Sequence, residues 1–321
     1  MQIIHLAQIK TILRSLDVIP AIEVGFVAYS NGKVVLPSIG EMRFQDPPGD
    51  VHIKYGYIID DDHYIVKIAS GFYNNPLFNI PSSNGLMLLF SQKTGEPLAI
   101  LLDEGYLTDI RTAAAGVIVA KYLAPSYVKH IGIIGTGTQA RFQLHFLKLV
   151  TSCREVMVFG RSLDKLASFQ KDMTAEGFNV VIAQDIKELA AQCNLIVTTT
   201  SATAPILFSN HIKKGTHITA VGADTLYKQE LHENVFAIAD VVVADSVTQC
   251  CERGDIAHAI KQNIIAPSIL KELGNVIAGT SQGRTNQEQI TIAALTGLAI
   301  QDIQIAKIVY QSLYNNSIRS S

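Results

Sequence analysis

The sequence predicts an α/β chain in two parts, a mostly β half followed by a half in which strands and helices alternate around a parallel sheet. Three observations carry this. Residues 19–90 break into short apolar runs separated by turn residues, and residues 129–244 alternate such runs with helical patterns. Between them, Ile131, Ile133 and Ile134 run into Gly135-Thr136-Gly137-Thr138-Gln139-Ala140, a glycine turn that opens a helical pattern. The 321 residues suit two domains of ordinary size.

Near the N-terminus, Ile9, Ile12, Leu13 and Leu16 follow helical spacing, and no basic stretch with a continuous apolar run suggests a secretory leader. In the β half the clearest strands are 34–37, 52–59, 64–69, 85–90 and 98–102. Asp60-Asp61-Asp62-His63 has the composition of a metal cluster, but it lies between two strands where a hairpin turn is needed, and it is read as that turn. Residues 91–97 form a second hairpin. A long helix from about Leu107 to Tyr122 stops before Ala124-Pro125 and leads into the alternating half. There, strands at 155–159, 180–183, 195–199, 217–221 and 241–244 alternate with helices that include 163–176 and 185–192. A last helix over 291–310 is expected to fold back across both parts. The expected domains are 1–122, completed by 290–321, and 123–289, with residues 315–321 frayed.

Hydrophobic residues make up 48 %, charged residues 17 %, and the net charge is −2. This balance suggests neither a nucleic-acid nor a membrane surface, and no stretch approaches the roughly 18 apolar residues of a spanning helix. A cytoplasmic location is expected. Cys153, Cys193, Cys250 and Cys251 form no C-x-x-C pair, so free thiols are expected rather than zinc ligands or disulfides, and no metal site is foreseen. Gly279-Thr280-Ser281-Gln282-Gly283 matches a hydrolase nucleophile elbow, but no His follows Ser281 to complete a triad.

The glycine turn has the spacing of a dinucleotide-binding, Rossmann-type domain. The first glycine makes the turn, the second lets the backbone approach a pyrophosphate, and small Ala140 allows helix and strand to pack closely. Gly135, Thr136, Gly137, Thr138 and Gln139 are therefore cofactor-binding candidates. The second strand ends in Gly160-Arg161-Ser162 instead of an acidic residue. Arg161 with Ser162 suits the 2′-phosphate of NADP(H), with NAD(H) the alternative and a plain surface arginine the bland reading. Thr199, Thr200 and Ser201 follow another strand and suit a cofactor surface. Asp224 follows the strand at 217–221; partial desolvation there would make it a proton donor or acceptor, and a helix cap is the other reading. Arg43, Lys67 and Arg111 are cations bracketed by apolar residues. An arginine suits bidentate carboxylate recognition and a lysine with apolar neighbours can be held near a pocket, while singly each reads as a snorkelling surface charge.

Arg43, the segment Val66-Lys67-Ile68-Ala69-Ser70-Gly71-Phe72-Tyr73 with Asn75-Pro76, Leu107-Thr108-Asp109-Ile110-Arg111-Thr112-Ala113-Ala114, the glycine turn, Val221-Gly222-Ala223-Asp224 with Glu230-Leu231, and Thr296-Gly297-Leu298-Ala299 with Asp302 together resemble the ornithine cyclodeaminase and mu-crystallin family. The resemblance runs through nearly the whole chain. It implies a β-rich substrate and dimerisation domain beside a Rossmann domain, and a homodimer. It also implies that Arg43, Lys67 and Arg111 grip an amino-acid carboxylate, that Asp224 and Lys67 are catalytic, and that Thr112, Val221 and Gly222 join the cofactor-binding set. Two departures stand out. Lys54 occupies a position where cyclodeaminases carry a water-activating carboxylate, and Arg161 replaces the acidic residue that holds NAD. Both favour the branch that reduces ketimines or pyrroline-2-carboxylate, or interconverts amino and 2-oxo acids, with Lys54 a further substrate-binding candidate. A cyclodeaminase lyase with recycled NAD and a non-catalytic NADPH-binding protein are the alternatives.

Overall fold

The computed structural model describes residues 1–72 and 74–319, with their side chains except those of Pro76 and residues 314–319. Tyr73 of the resemblance motif, and Ser320 and Ser321 of the expected frayed end, lie outside the described residues. The chain forms two compact units, Met1–Arg111 with Leu298–Ser321, and Thr112–Gly297.

The first unit is built on a seven-stranded mixed sheet. Its strands are β1 (Gln2–His5), β2 (Val34–Val35), β3 (Gly40–Phe44), β4 (Gly49–Ile58), β5 (His63–Phe72), β6 (Ser83–Ser91) and β7 (Pro97–Leu102). The order is β1-β7-β6-β5-β4-β2, with β3 also on β4, and every pairing except β1 with β7 is antiparallel. The acidic run is a hairpin turn as expected. Asp60 has φ 66°, and Asp61 accepts the backbone N–H of Asp62 and of His63. Alternation along the strands turns Ile65, Met87, Leu89, Leu101 and Ile4 to one buried face. That face and its surroundings are covered by α1 (Leu6–Leu13), α2 (Ile19–Ser30) and the C-terminal helix Ala299–Arg319. A third helix, α3 (Tyr106–Leu123), starts where Asp103 Oδ2 accepts the Leu107 N–H at 2.9 Å.

Two sequence expectations are corrected here. Residues 19–30 are helical and not β-like. Pro20 lies in the first helical turn, where its missing N–H costs nothing, and Gly25 lets the C-terminal helix approach so closely that a Cβ there would meet Ile300 Cγ1 at 2.9 Å. The expected helix at 291–310 is instead a strand, Thr291–Ala294, followed by the helix from Ala299. A short, wholly buried apolar run has no periodicity to separate strand from helix. The unit boundaries fall at Arg111/Thr112, inside α3, and at Gly297/Leu298.

The second unit continues with β8 (Ile131–Ile134), β9 (Glu155–Phe159), β10 (Asn179–Ile182), β11 (Leu195–Thr198), β12 (Thr203–Leu207), β13 (His217–Ala220), β14 (Gln229–Leu231), β15 (Val241–Ala244), β16 (Leu270–Glu272) and β17 (Thr291–Ala294). Eight of these make a parallel sheet in the order β10-β9-β8-β11-β13-β17-β15-β16, and β12 pairs with β14 alone. Strands β8, β11, β13, β15 and β17 are buried throughout, as strands covered on both faces must be. The chain runs from β8 to β9 and β10 on one side and to β11 and β13 on the other. The carboxyl end of β8 is thus the topological switch point, where such sheets bind ligands. Helices α4 (Thr138–Leu147), α5 (Leu163–Ala175) and α6 (Ile186–Gln192) connect these strands. Among the described residues, no helix is long and apolar enough to cross a membrane.

Candidate functional site

At the switch point Gly135 adopts φ 119°, and a Cβ there would lie 2.5 Å from Thr199 Oγ1. Only glycine lets β8 turn beneath the loop that follows β11. Thr199 binds the Ile134 carbonyl through its N–H at 2.9 Å and its hydroxyl at 3.2 Å. Gly137 is the N-cap of α4. It is extended, no side chain caps the helix, and a Cβ on it would meet nothing within 4 Å. The positive end of the helix is therefore both uncapped and unobstructed, which suits a phosphate. Ala140 is fully buried and lets α4 lie close to the sheet. These features fit the pyrophosphate of a dinucleotide.

Thr136 and Gln139 belong to the same turn. The Thr136 carbonyl accepts from Arg141, whose guanidinium is ion-paired with Asp172 at 2.7 Å, and Gln139 Oε1 accepts from Gln143 at 3.4 Å. Gln143 also donates to the Thr112 carbonyl in α3 at 3.0 Å. Thr138 is the exposed first residue of α4. After β9, Arg161 is exposed, while Ser162 is the N-cap of α5 and accepts the Lys165 N–H.

A buried carboxylate organises the next two strand ends. Glu230 in β14 is fully buried and accepts from Thr198 Oγ1 at 2.7 Å, from the N–H and hydroxyl of Thr200 at 2.5 and 2.7 Å, and from the Gly222 N–H at 2.8 Å. It thereby holds the loop after β11, including Thr199 and Ser201, against the loop after β13, which carries Val221 and Gly222. Asp255 fixes Glu230 in turn, its Oδ1 accepting the N–H groups of Glu230 at 2.7 Å and Leu231 at 2.9 Å. Two residues past Gly222, Asp224 pairs with Lys228 Nζ at 2.7 Å. Its side chain is 40 % exposed, so Asp224 is half-buried. A second tie comes from Asp245 after β15. It accepts Thr296 Oγ1 at 2.9 Å and the Gly297 N–H at 2.6 Å.

The first unit holds a separate cluster of charges. Lys67 on β5 and Arg111 on α3 are both buried, and both pair with Asp302 in the first turn of the C-terminal helix, at 2.9 and 2.7 Å. Gln301 ties the group together, accepting from Arg111 Nη1 at 3.0 Å and donating to the Arg111 carbonyl. Lys54 on β4, only 9 % exposed, stands directly opposite Lys67 in the register of β4 and β5. Arg43 on β3 is opposite Asp50 of β4. Opposed residues share a face, and alternation puts Asp50 and Lys54 on the same side, so Arg43, Lys54 and Lys67 share one face of the sheet. Arg43 is exposed there, unlike the two lysines.

Burial, then the neighbouring charges of Arg111 and Lys54, push the Lys67 ammonium down to about 7 against the pull of Asp302. Burial alone would raise Asp302, but Arg111 and Lys67 outweigh it and hold the carboxyl below its usual range. Asp103, buried beside them, is pushed up to about 6 chiefly by burial. Arg111, Lys67 and Lys54 all act on the Asp302 carboxylate.

Sequence reading named Lys67, Arg111, Lys54 and the glycine turn on local grounds, but it assigned no role to Asp302, Asp103, Gln301, Asp245, Asp255 or Lys228. Asp245 had a signal, since it follows an apolar strand as Asp224 does. Asp302 had none beyond its place in a motif, because its partners are remote in sequence. Among the cysteines, Cys193 and Cys250 are buried and Cys153 and Cys251 are half-buried, all as free thiols. Gly279 to Gly283 follows a short helix and does not form a strand-to-helix elbow.

Comparison with known proteins supplies a second line of evidence. Residues 2–317 match the model of the ornithine cyclodeaminase/mu-crystallin family. An uncharacterised cyclodeaminase of Sinorhizobium fredii is 39 % identical over 308 residues, covering 95 % of this chain and 93 % of that protein. The structure of Thermococcus litoralis Δ1-pyrroline-2-carboxylate reductase in complex with NADH and L-proline superposes with a TM-score of 0.91 at 27 % identity, covering 99 % of this chain and 98 % of that one. An archaeal alanine dehydrogenase dimer with bound NAD gives a TM-score of 0.89 at 32 % identity, covering 98 % and 96 %.

Proposed function

The chain belongs to the ornithine cyclodeaminase/mu-crystallin family, and from that premise we propose that it is an NAD(P)H-dependent oxidoreductase working as a homodimer. It reduces a ketimine or cyclic imine such as pyrroline-2-carboxylate, or interconverts an amino acid and its 2-oxo acid. The observation that carries this reading is the buried cluster in which Lys67 and Arg111 share Asp302 with Lys54 beside them. Lys67 and Arg111 are buried cations that share the carboxylate Asp302, and a carboxylate ligand would complement both. The carboxylate of an amino or imino acid is such a ligand.

The residues that would hold the nicotinamide dinucleotide are Gly135 to Gln139 at the pyrophosphate, with Thr112, Thr199 to Ser201, Val221 and Gly222 beside it and Arg161 and Ser162 near the adenosine ribose. When bound, the cofactor supplies or accepts a hydride at the substrate α-carbon. Lys67 and Arg111 fix the substrate carboxylate, with Arg43 and Lys54 on the same sheet face. Asp224 passes a proton to or from the substrate nitrogen, and Lys228 restrains its carboxylate. The cyclodeaminase alternative draws support from the name of the Sinorhizobium relative, but Lys54 is poorly suited to activating water, since an ammonium cannot accept a proton.

The deciding experiment follows cofactor oxidation at 340 nm with cyclic imines and with 2-oxo acids plus ammonia, using NADH and NADPH in turn. Reduction of at least one imine is the expected result. Ammonia release from ornithine without net cofactor change would replace the reductase reading with the lyase one. In the same assay Arg161→Ala should lower kcat/KM with NADPH relative to NADH by about ten- to a hundredfold, the worth of one charge-assisted bond; an unchanged ratio would remove Arg161 from cofactor selection.

A pH dependence also follows. Lys67 carries its charge below about pH 7 and loses it above. Carboxylate binding favours the charged form, so KM for a carboxylate substrate should be low at pH 6 and rise above pH 7, approaching about tenfold per unit. A KM that is flat from pH 6 to 9 would show that Lys67 does not meet the carboxylate.

A further inference from the structure

One glycine braces Asp224 at both of its chain neighbours. Gly254 is buried at the corner between two helices, Val247–Glu252 and Gly254–Lys261, and its N–H donates to the Thr225 carbonyl at 3.0 Å. On the other side of Asp224, the Ala223 carbonyl packs so closely on Gly254 that a Cβ there would collide with its oxygen and press on Thr296 Cγ2 at 3.2 Å. Gly254 also has φ 75°, a conformation that other residues adopt only at a cost. The corner is held on both flanks. Before it, Gln249 Nε2 donates to Thr296 Oγ1 at 2.8 Å and to the Gly297 carbonyl at 3.2 Å, and Thr296 in turn donates to Asp245. After it, Asp255 Oδ1 accepts the N–H groups of Glu230 and Leu231. The corner is thereby tied to β14 and to the loops that follow β15 and β17. The Asp224 side chain is half-buried and paired with Lys228, so its aim depends on the backbone beneath it.

Resting on the proton-transfer role given to Asp224 above, we infer that Gly254 is a positioning residue for that step: its missing side chain lets the corner draw residues 223–225 close and so sets where the Asp224 carboxyl stands. Gly254 acts through Asp224 and not on the reacting atoms. An alanine would push the Ala223 carbonyl away and carry the Asp224 backbone with it. A displacement of about 1 Å at a group that must meet its target in one geometry lowers a rate by about 10²-fold.

The test compares Gly254→Ala with Gly279→Ala in the full chain, on the imine of the 340 nm panel that the natural chain reduces fastest. Gly279 has the same φ of 75°, but a Cβ on it would meet nothing within 4 Å, so it reproduces the backbone strain without displacing a neighbour. Gly254→Ala is expected to lower kcat by about 10- to 100-fold, to leave the KM for the reduced cofactor little changed, and to raise the solvent deuterium isotope effect on kcat as proton transfer slows. Gly279→Ala should move none of the three. In an Asp224→Asn background, Gly254→Ala should have almost no further effect, because the group it displaces no longer carries a proton. Equal losses from the two glycine variants, or a full-sized Gly254 loss in the Asp224→Asn background, overturn the inference while the reductase reading stands. Should Gly254→Ala not fold, amide hydrogen exchange of the natural chain decides: the Gly254 N–H is expected to exchange as slowly as those of the parallel sheet, and exchange at the rate of an exposed loop overturns the brace. If no imine is reduced, or if Asp224→Asn keeps full turnover, the role of Asp224 falls and the inference falls with it.

Discussion

Replacing Asp224 with asparagine is expected to lower turnover on an imine substrate by about 10²–10⁴-fold, the usual worth of a positioned proton donor or acceptor, while cofactor binding persists. The expectation comes from where the residue is held. Glu230 bonds the Gly222 N–H at 2.8 Å and clamps Thr200 at the end of the neighbouring strand, so the backbone leading to Asp224 is fixed from below by a buried anchor. The side chain itself is only partly covered and is tied to Lys228 at 2.7 Å, which leaves it both positioned and reachable by protons. Asparagine keeps the size and can still accept a hydrogen bond, but it cannot carry a proton to nitrogen. Retained dinucleotide binding, read by fluorescence of the reduced cofactor, separates lost chemistry from lost folding. Turnover within a few-fold of the natural chain would eliminate Asp224 from proton transfer.

The parts of this fold that can be read from sequence are those whose signal is local. The strand Ile131–Ile134 and the glycine turn announce themselves because one short window contains a buried run, a turn and a helix start. The hairpin at Asp60 to His63 is equally local, since a left-handed residue and an acidic acceptor are what such a turn needs. The failures have the opposite character. Residues 19–30 are almost uniformly apolar, and their helix is decided by packing of Gly25 on Ile300, far along the chain. Thr291–Ala294 is a strand because β13 and β15 flank it in register, which no periodicity reveals. The candidate site divides in the same way. Lys67 and Arg111 stand out as cations among apolar neighbours, but that they share one carboxylate, and that the carboxylate is Asp302, depends on a helix returning from the C-terminal end to the first unit.

That shared carboxylate gives the second large effect. Asp302→Ala leaves Lys67 and Arg111 buried without their common counter-ion, and breaking a buried pair in this way costs about 3–5 kcal/mol. The loss should depend on pH, and its sign can be worked out. Lys67 titrates at about 7 in the folded chain, well below its ordinary value of 10.5, so between these limits the unfolded chain binds more protons and the lysine's contribution to stability rises with pH. Removing Asp302 takes away the influence that holds the proton on Lys67, so the folded-state value falls further and the rise begins at lower pH. Between pH 6 and pH 8 the variant therefore sheds the Lys67 charge and recovers part of its deficit, while Arg111 stays charged throughout. The expected result is a large destabilisation at pH 6 that shrinks at pH 8. With no tryptophan in the chain, urea denaturation followed by far-UV circular dichroism is the suitable measurement. A deficit below about 1 kcal/mol at pH 6 would put the pair in the class of weak, solvated ion pairs. A large deficit that does not change with pH would mean that Lys67 keeps its proton without Asp302, and the charge balance drawn for this cluster would be wrong.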